Sequence, residues 1–374
     1  MKKLTAFIIF MVMLFICPFS VSADEQEFYN MEEFYSSSGA PDLSAGDILE
    51  DKGISFENPR SILSLTPSEV WEIIKEIADG ILYAPVRLVI SIIIVIILTS
   101  LIDGMGGTVK SKQMSGIFEI ICVLACVGVV FVPVCECIDN VSEAVAEGAE
   151  FMLGFVPVFS GLTVAGGHVT AGAGYSAAIL GFSNVAVSLA RDFFLPLLSM
   201  CLSTAIVDSC CDAVNLSGII NAVRKIVTWG IGLVMTVFTG LLSLQSIVGS
   251  SADSVTAKAA KYVLSNSIPL VGSAASDAYS TVKGSITLLK NGVGGIGIAA
   301  LVVMLLPPLI HTVIYSLAFA LSGSVSEIFG TKKLVQLFKN INSILSAALG
   351  ILVCFMLMFV ISTGVVMSVC TDIS

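Results

Sequence analysis

Charge is scarce in this 374-residue chain: 12% of its residues are Asp, Glu, Lys or Arg, against 56% hydrophobic. A water-soluble domain carries about 25% charged and roughly 45–50% apolar residues. The composition therefore excludes an ordinary soluble fold and indicates an integral membrane protein. Histidine is almost absent, with two residues and no H-E-x-x-H spacing, so no zinc-hydrolase site is expected. There is no basic tract, which argues against a nucleic-acid partner. No nucleophile–base set, nucleotide motif or pair of catalytic carboxylates is found, so neither enzyme activity nor a cofactor is expected. Gly292, Gly294, Gly295 and Gly297 resemble a phosphate loop, but the closing Lys-Ser/Thr and a preceding strand are missing. Close helix packing explains them better.

Ten cysteines are present, but no paired C-x-x-C motif. Cys122, Cys126, Cys201 and Cys354 lie in apolar segments and read as small core residues. Cys135, Cys137 and the vicinal Cys210-Cys211 lie near segment ends, and no metal site is expected from them.

What charge there is sits mostly at one end. Residues Asp24 to Ala84 hold 14 acids against Lys52, Arg60 and Lys75, and the rest of the chain from Pro85 holds 14 acids and 13 bases. Before this acidic segment lies a secretory signal. Lys2 and Lys3 supply the positive start, Leu4 to Ile16 the short apolar run, and Val21-Ser22-Ala23 the small-residue cleavage site. The domain reading is a signal peptide over 1–23, an acidic extracytoplasmic region over 24–84, and a polytopic membrane domain over 85–374. An uncleaved anchor is the alternative to cleavage after Ala23. Asp24 to Ser64 lacks apolar periodicity and reads as extended or disordered. Thr66-Pro67-Ser68-Glu69 is a capping box with proline at the first helical position. It opens an amphipathic helix over 67–82, expected to lie on the outer leaflet or to dock in a small domain.

Apolar segments follow at Val86 to Ile102, Ile117 to Val134, Phe151 to Gly166, Gly172 to Ala190, Phe193 to Val207, Ile226 to Val248, Gly292 to Leu321 and Ile344 to Met367. A span needs roughly 20 such residues, so the fold class is all-α, polytopic, with six to eight transmembrane helices. The middle pair is either a spanning hairpin or a re-entrant pair. Lys110 and Lys112, Arg224 and Lys225, and Lys332, Lys333 and Lys339 mark cytoplasmic loops by the positive-inside rule. Glu136, Asp139, Glu143, Glu147 and Glu150 then fall outside, as do the N-terminal region and the C-terminus.

Pro85, Pro196 and Pro308 recur about every 112 residues, each opening an apolar segment, and Pro157 and Pro269 are 112 apart. A pseudo-repeat with broken helices follows from this phasing, an architecture seen in transporters and channels. Polar groups at membrane depth usually face protein or water. The candidate conduit or partner surface is therefore Gly161 to Gly174 with Pro269 to Gly297. Its named members are Pro157, Gly166, Gly167, His168, Asn184, Pro269, Gly294, Gly295, Pro308 and His311. For His168 the plainer reading is a residue of its glycine turn. For Asn184, Gln245, His311 and the adjacent Arg191 and Asp192 it is an interhelical hydrogen bond or a headgroup contact.

The stretch Gly240 to Gly295, GLLSLQSIVGSSADSVTAKAAKYVLSNSIPLVGSAASDAYSTVKGSITLLKNGVGG, resembles the stage III sporulation protein AE family of endospore-forming bacteria. The likeness continues through Pro307-Pro308 and the last span, and covers most of Leu65 to Cys370. The resemblance implies a large, permease-like component of a transenvelope channel complex between mother cell and forespore. Its implied partners are the other stage III A-operon proteins and a forespore protein, and its implied role is maintenance of the engulfed forespore. It carries over no catalytic residue. A homo-oligomer is compatible with this reading. The alternative is a self-sufficient transporter of a small solute.

Overall fold

The structure is a computed structural model that describes residues 67–109, 112–210, 216–267 and 272–369. The expected signal peptide, the acidic tail, Lys110, Cys211 and Pro269 lie outside these residues. Everything described is helix or tight turn, and no strand occurs among the described residues. The elements are α1 (Pro67–Val109), α2 (Lys112–Ala165), α3 (Val169–Ser188), a π-helical turn (Leu189–Phe194), α4 (Leu195–Cys210), α5 (Ser217–Ser267), α6 (Gly272–Ile328) and α7 (Lys332–Val369). With α3, the π turn and α4 taken as one rod, six helices are long and apolar enough to cross a membrane.

The eight apolar segments fuse into these six helices. The amphipathic stretch from Pro67 and the first span form one 43-residue helix, with Pro85 inside it. The second span, the acidic stretch and the apolar run ending at Ala165 form one 54-residue helix containing Pro133 and Pro157. Pro307 and Pro308 likewise lie inside the 57-residue α6. The prolines therefore do not break helices at the expected places. Each removes one backbone donor, and a long helix held by neighbours tolerates that loss. The helical irregularity among the described residues is the π turn, where Leu195 N–H bonds back to the Ala190 carbonyl. It ends just before Pro196, whose missing N–H leaves the carbonyl four residues earlier without its α-helical partner.

At 1.5 Å per residue, α2 is about 80 Å long and α6 about 85 Å. That is more than twice a hydrocarbon core of about 30 Å. The core of the bundle is aromatic and aliphatic. Phe151, Phe155 and Phe159 stack along α2, and Phe359 of α7 and Tyr175 of α3 meet them edge-on. α6 and α7 are joined through Gly330, whose φ of 74° lets the chain reverse as only glycine does easily. The Thr331 N–H bonds the Ser326 carbonyl there.

Candidate functional site

Three polar features interrupt the apolar bundle, and each is built from residues far apart in sequence. The first is at the α2–α3 turn. Gly166 N–H bonds the Leu162 carbonyl and Gly167 N–H bonds the Val164 carbonyl. Gly167 has φ 83°, a left-handed conformation that a Cβ would strain. His168 follows as the residue before α3 and is 1% exposed. Neither ring nitrogen of His168 has a hydrogen-bond partner among the described residues.

Against this turn lies Asp253 of α5, itself 2% exposed. Its Oδ1 accepts from the Thr170 N–H and its Oδ2 from the Ala171 N–H, both at 2.9 Å. The carboxylate thus caps α3 from another helix, meeting donors that the first turn leaves unpaired. From α6 comes Lys290, 2% exposed, whose Nζ donates to the Val366 carbonyl of α7 at 3.3 Å. Burial, and after it the positive charges of Lys283 and Lys290, hold the His168 pKa below the ordinary imidazole range, while Asp253 pulls it upward. The turn residue expected from the sequence is therefore a buried, polar junction of α2, α3, α5 and α6.

The second feature is at mid-bundle. His311 of α6 places Nδ1 3.4 Å from Asn140 Nδ2 and 3.8 Å from Cys137 Sγ, both on α2. Its ring packs 4.7 Å from that of Tyr315. Five residues further along α6, Ser316 donates to Asn342 of α7 at 2.6 Å.

The third feature is the outer face of α2. Glu136, Asp139, Glu143, Glu147 and Glu150 are all exposed, and they recur at steps of three and four residues. That period puts all five on one side of a helix. They extend over about 21 Å at helical rise. None of them forms an ion pair among the described residues; the bridge formed there joins Lys339 and Glu327 at 4.0 Å, both well exposed.

Side-chain contacts fix the height of this face in the bundle. Ser183 of α3 reaches Met152 of α2 at 3.4 Å. Phe182 of α3 meets Phe238 of α5 with ring centroids 5.0 Å apart. One π turn lower, a Cβ at Gly230 of α5 would meet the Phe194 ring. These contacts put Met152 level with Phe238, so the acidic face below Met152 runs beside α5 from about the level of Arg224 up to that of Leu233 and Val237, along the lower part of its exposed apolar face. α3, α6 and α7 each pack on both α2 and α5 and so stand between them. The apolar face of α5 from Trp229 to Val248 is about 29 Å long at helical rise, one hydrocarbon thickness. Arg224 and Lys225 sit just below it, and Arg224 donates to Ser343 of α7 at 2.8 Å.

The remaining expected positions are dispersed. Pro157 and Asn184 are exposed on α2 and α3. Gly294 is packed against Phe159 and Met367, and Gly297 against Phe155. Gly295 and Pro308 are half-buried in α6. Gly166, Gly167 and His168 come together, His311 stands apart at mid-bundle, and Pro269 is outside the described residues. Asp253 and Lys290 were missed by sequence reasoning; a lone acid in an amphipathic helix gives no signal of its partner. The one-sided acidic face was legible from its spacing.

An all-helical bundle with six membrane-length helices, buried polar junctions and no strand among the described residues defines a multi-pass membrane protein. The profile of stage III sporulation protein AE matches residues 60–370, and the chain belongs to that family. A relative, stage III sporulation protein AE of Bacillus subtilis (strain 168), is 25% identical over 231 residues, which are 62% of this chain and 58% of the relative. The alignment thus spans less than two thirds of the relative's length. No solved structure matches the chain.

Proposed function

We propose that this chain is a polytopic membrane component of the stage III sporulation channel complex between mother cell and forespore, and that the acidic face of α2 borders its water-filled path. The observation that carries this reading is the level shared by two opposite surfaces. Beside Trp229 and Leu233, in the lower part of the exposed apolar face of α5, α2 shows Glu143 and Glu147, members of a row of five carboxylates without a basic partner among the described residues. Carboxylates at membrane depth are costly in lipid and face water or protein. If lipid covers α5, the α2 side is turned away from it, toward a lumen completed by further subunits. Family membership supports the sporulation role. In this reading the chain sits in the mother-cell membrane around the forespore, with both ends of the membrane domain extracytoplasmic. Its partners are the other stage III A-operon proteins and the forespore component.

The test is forespore volume after engulfment, scored with heat-resistant spore yield, in a strain lacking this chain. Collapsed forespores and lost spores with normal vegetative growth support the proposal. Normal sporulation overturns it and leaves a self-sufficient solute transporter, to be measured as uptake by the purified chain in vesicles.

A further inference from the structure

We propose that His168 and Asp253 form a proton-sensitive latch: uptake of a proton by the buried His168 ring releases the α2–α3 turn from α5. The geometry sets up two states. In the first, the ring is neutral and sealed at 1% exposure, and both of its nitrogens lack partners among the described residues. Asp253 is then committed to the Thr170 and Ala171 N–H groups at 2.9 Å. A buried polar atom left unpaired is a store of unfavourable free energy, because it has lost water and gained nothing.

Adding a proton to the ring turns it into a cation with two donors. The groups that surround it decide how the turn responds. α5 brings Asp253, and α6 brings Lys283 and Lys290. α3 brings Tyr175, whose hydroxyl is already 3.3 Å from Thr363 Oγ1. The hydroxyls of α2 are committed as well: Ser160 donates to the Gly172 carbonyl and Thr163 to the Phe159 carbonyl. The facing stretch of α7, from Phe359 to Ser368, holds no titratable side chain. Among the described residues Asp253 is thus the one anion in reach, and two ammonium groups repel the new charge. The imidazolium either draws Asp253 off the α3 N-terminus or swings out to water. The first move undoes the two hydrogen bonds that tie α3 to α5, and the second opens the turn around residue 168 to water. Burial and the two lysines already oppose the proton, so the latch stays shut near neutral pH and opens in acid.

The experiment is hydrogen–deuterium exchange of the full chain in nanodiscs at pH 7.5 and pH 5, with rates corrected for intrinsic pH dependence. Peptides covering residues 166–175 should lose protection at pH 5 by about tenfold, the effect of one pH unit of linked proton uptake. His168→Gln should remove that pH response, and Asp253→Asn should open the turn at both pH values. Equal protection of the natural chain at both pH values overturns the proposal. So does an undiminished response in His168→Gln. Should the Gln variant fail to fold, Lys283→Gln provides the check: removing a repelling charge must move the opening to higher pH, and an unmoved midpoint overturns the latch.

Discussion

Gly297 of α6 lies so close to the Phe155 ring of α2 that a Cβ at that position would overlap it. The two helices approach there along the stacked run of Phe151, Phe155 and Phe159. Helices in a bilayer gain little from burying apolar surface against each other, since lipid is as apolar as they are. Close backbone approach at small residues supplies the packing instead. Gly297→Ala should therefore cost about 1–3 kcal/mol, the usual penalty for overfilling a packed core. Gly181→Ala is the control, because a Cβ at Gly181 meets nothing within 4 Å; relief of glycine's poor helix propensity is worth up to about 1 kcal/mol. Thermal unfolding in detergent should lower the midpoint for the first and leave it equal or higher for the second.

The capping of α3 by Asp253 gives a second test. Asp253→Ala leaves the Thr170 and Ala171 N–H groups, now bonded at 2.9 Å, without acceptors. An unsatisfied buried donor costs about 1–3 kcal/mol. The loss should appear as cleavage by a protease near the turn at 166–168 under conditions where the natural chain is resistant. Unchanged resistance would show that the cap contributes nothing to the turn.

The pH dependence has a definite sign. The pKa of His168 is lowered in the folded protein by burial, then by Lys283 and Lys290. The folded state thus takes up the proton later than the unfolded chain, whose imidazole titrates near about 6.5. This contribution to stability is complete above that value. It is lost as pH falls from there through the folded pKa. Unfolding midpoints measured between pH 8 and pH 5 should fall on the acid side, and the fall should flatten in His168→Gln. A parallel decline in both proteins would assign the effect to other groups.

How much of this was legible in the sequence depends on the range of the interaction. Composition and run length fixed an all-helical, multi-pass chain, because hydropathy and helical period are local properties. The fusion of the eight apolar segments into six membrane-length helices was not legible. The acidic residues after Val134 read as a stretch outside the membrane between two apolar segments; their spacing of three and four is itself helical, and α2 runs straight through them. Pro85, Pro157 and Pro308 looked like breaks, yet each sits inside a helix whose neighbours stabilise it. His168 was legible as a turn residue from its glycines. Its burial was not, because that depends on Asp253 and Lys290, 85 and 122 residues further along. Pairings between helices leave no trace in a single sequence.

The acidic face can be probed by charge reversal. Glu143→Lys with Glu147→Lys keeps the helix, since Lys and Glu have similar propensities, but inverts the field along α2. Both side chains are exposed and without ion pairs among the described residues, so protein level should be unchanged. Heat-resistant spore yield should fall roughly tenfold or more, the effect of about 1.4 kcal/mol in one coupled step. The double Gln variant should fall between the two. Normal yield with the double Lys variant would remove this face from the path.

The opposite flank gives the complementary measurement and places the bilayer. Leu233 and Val237 are exposed on α5 at 49% and 46%, level with Glu147 and Glu150 of α2. If that height is membrane, an arginine on α5 must enter lipid, at about 2.5–3.5 kcal/mol for a helix centre. Val237→Arg should then reduce membrane integration and steady-state protein. An arginine at Leu153, next to the upper end of the acidic face, close to the level of Val237 and also exposed, should be tolerated if α2 borders water there. Equal loss from both substitutions would mean that lipid surrounds the bundle at that height. The five carboxylates could then be accommodated only against protein, making α2 a contact with a partner subunit rather than the wall of a path. Equal tolerance would put the α5 face outside the bilayer. Only the asymmetric result, loss on α5 and survival on α2, fits a bundle with lipid on one flank and water on the other.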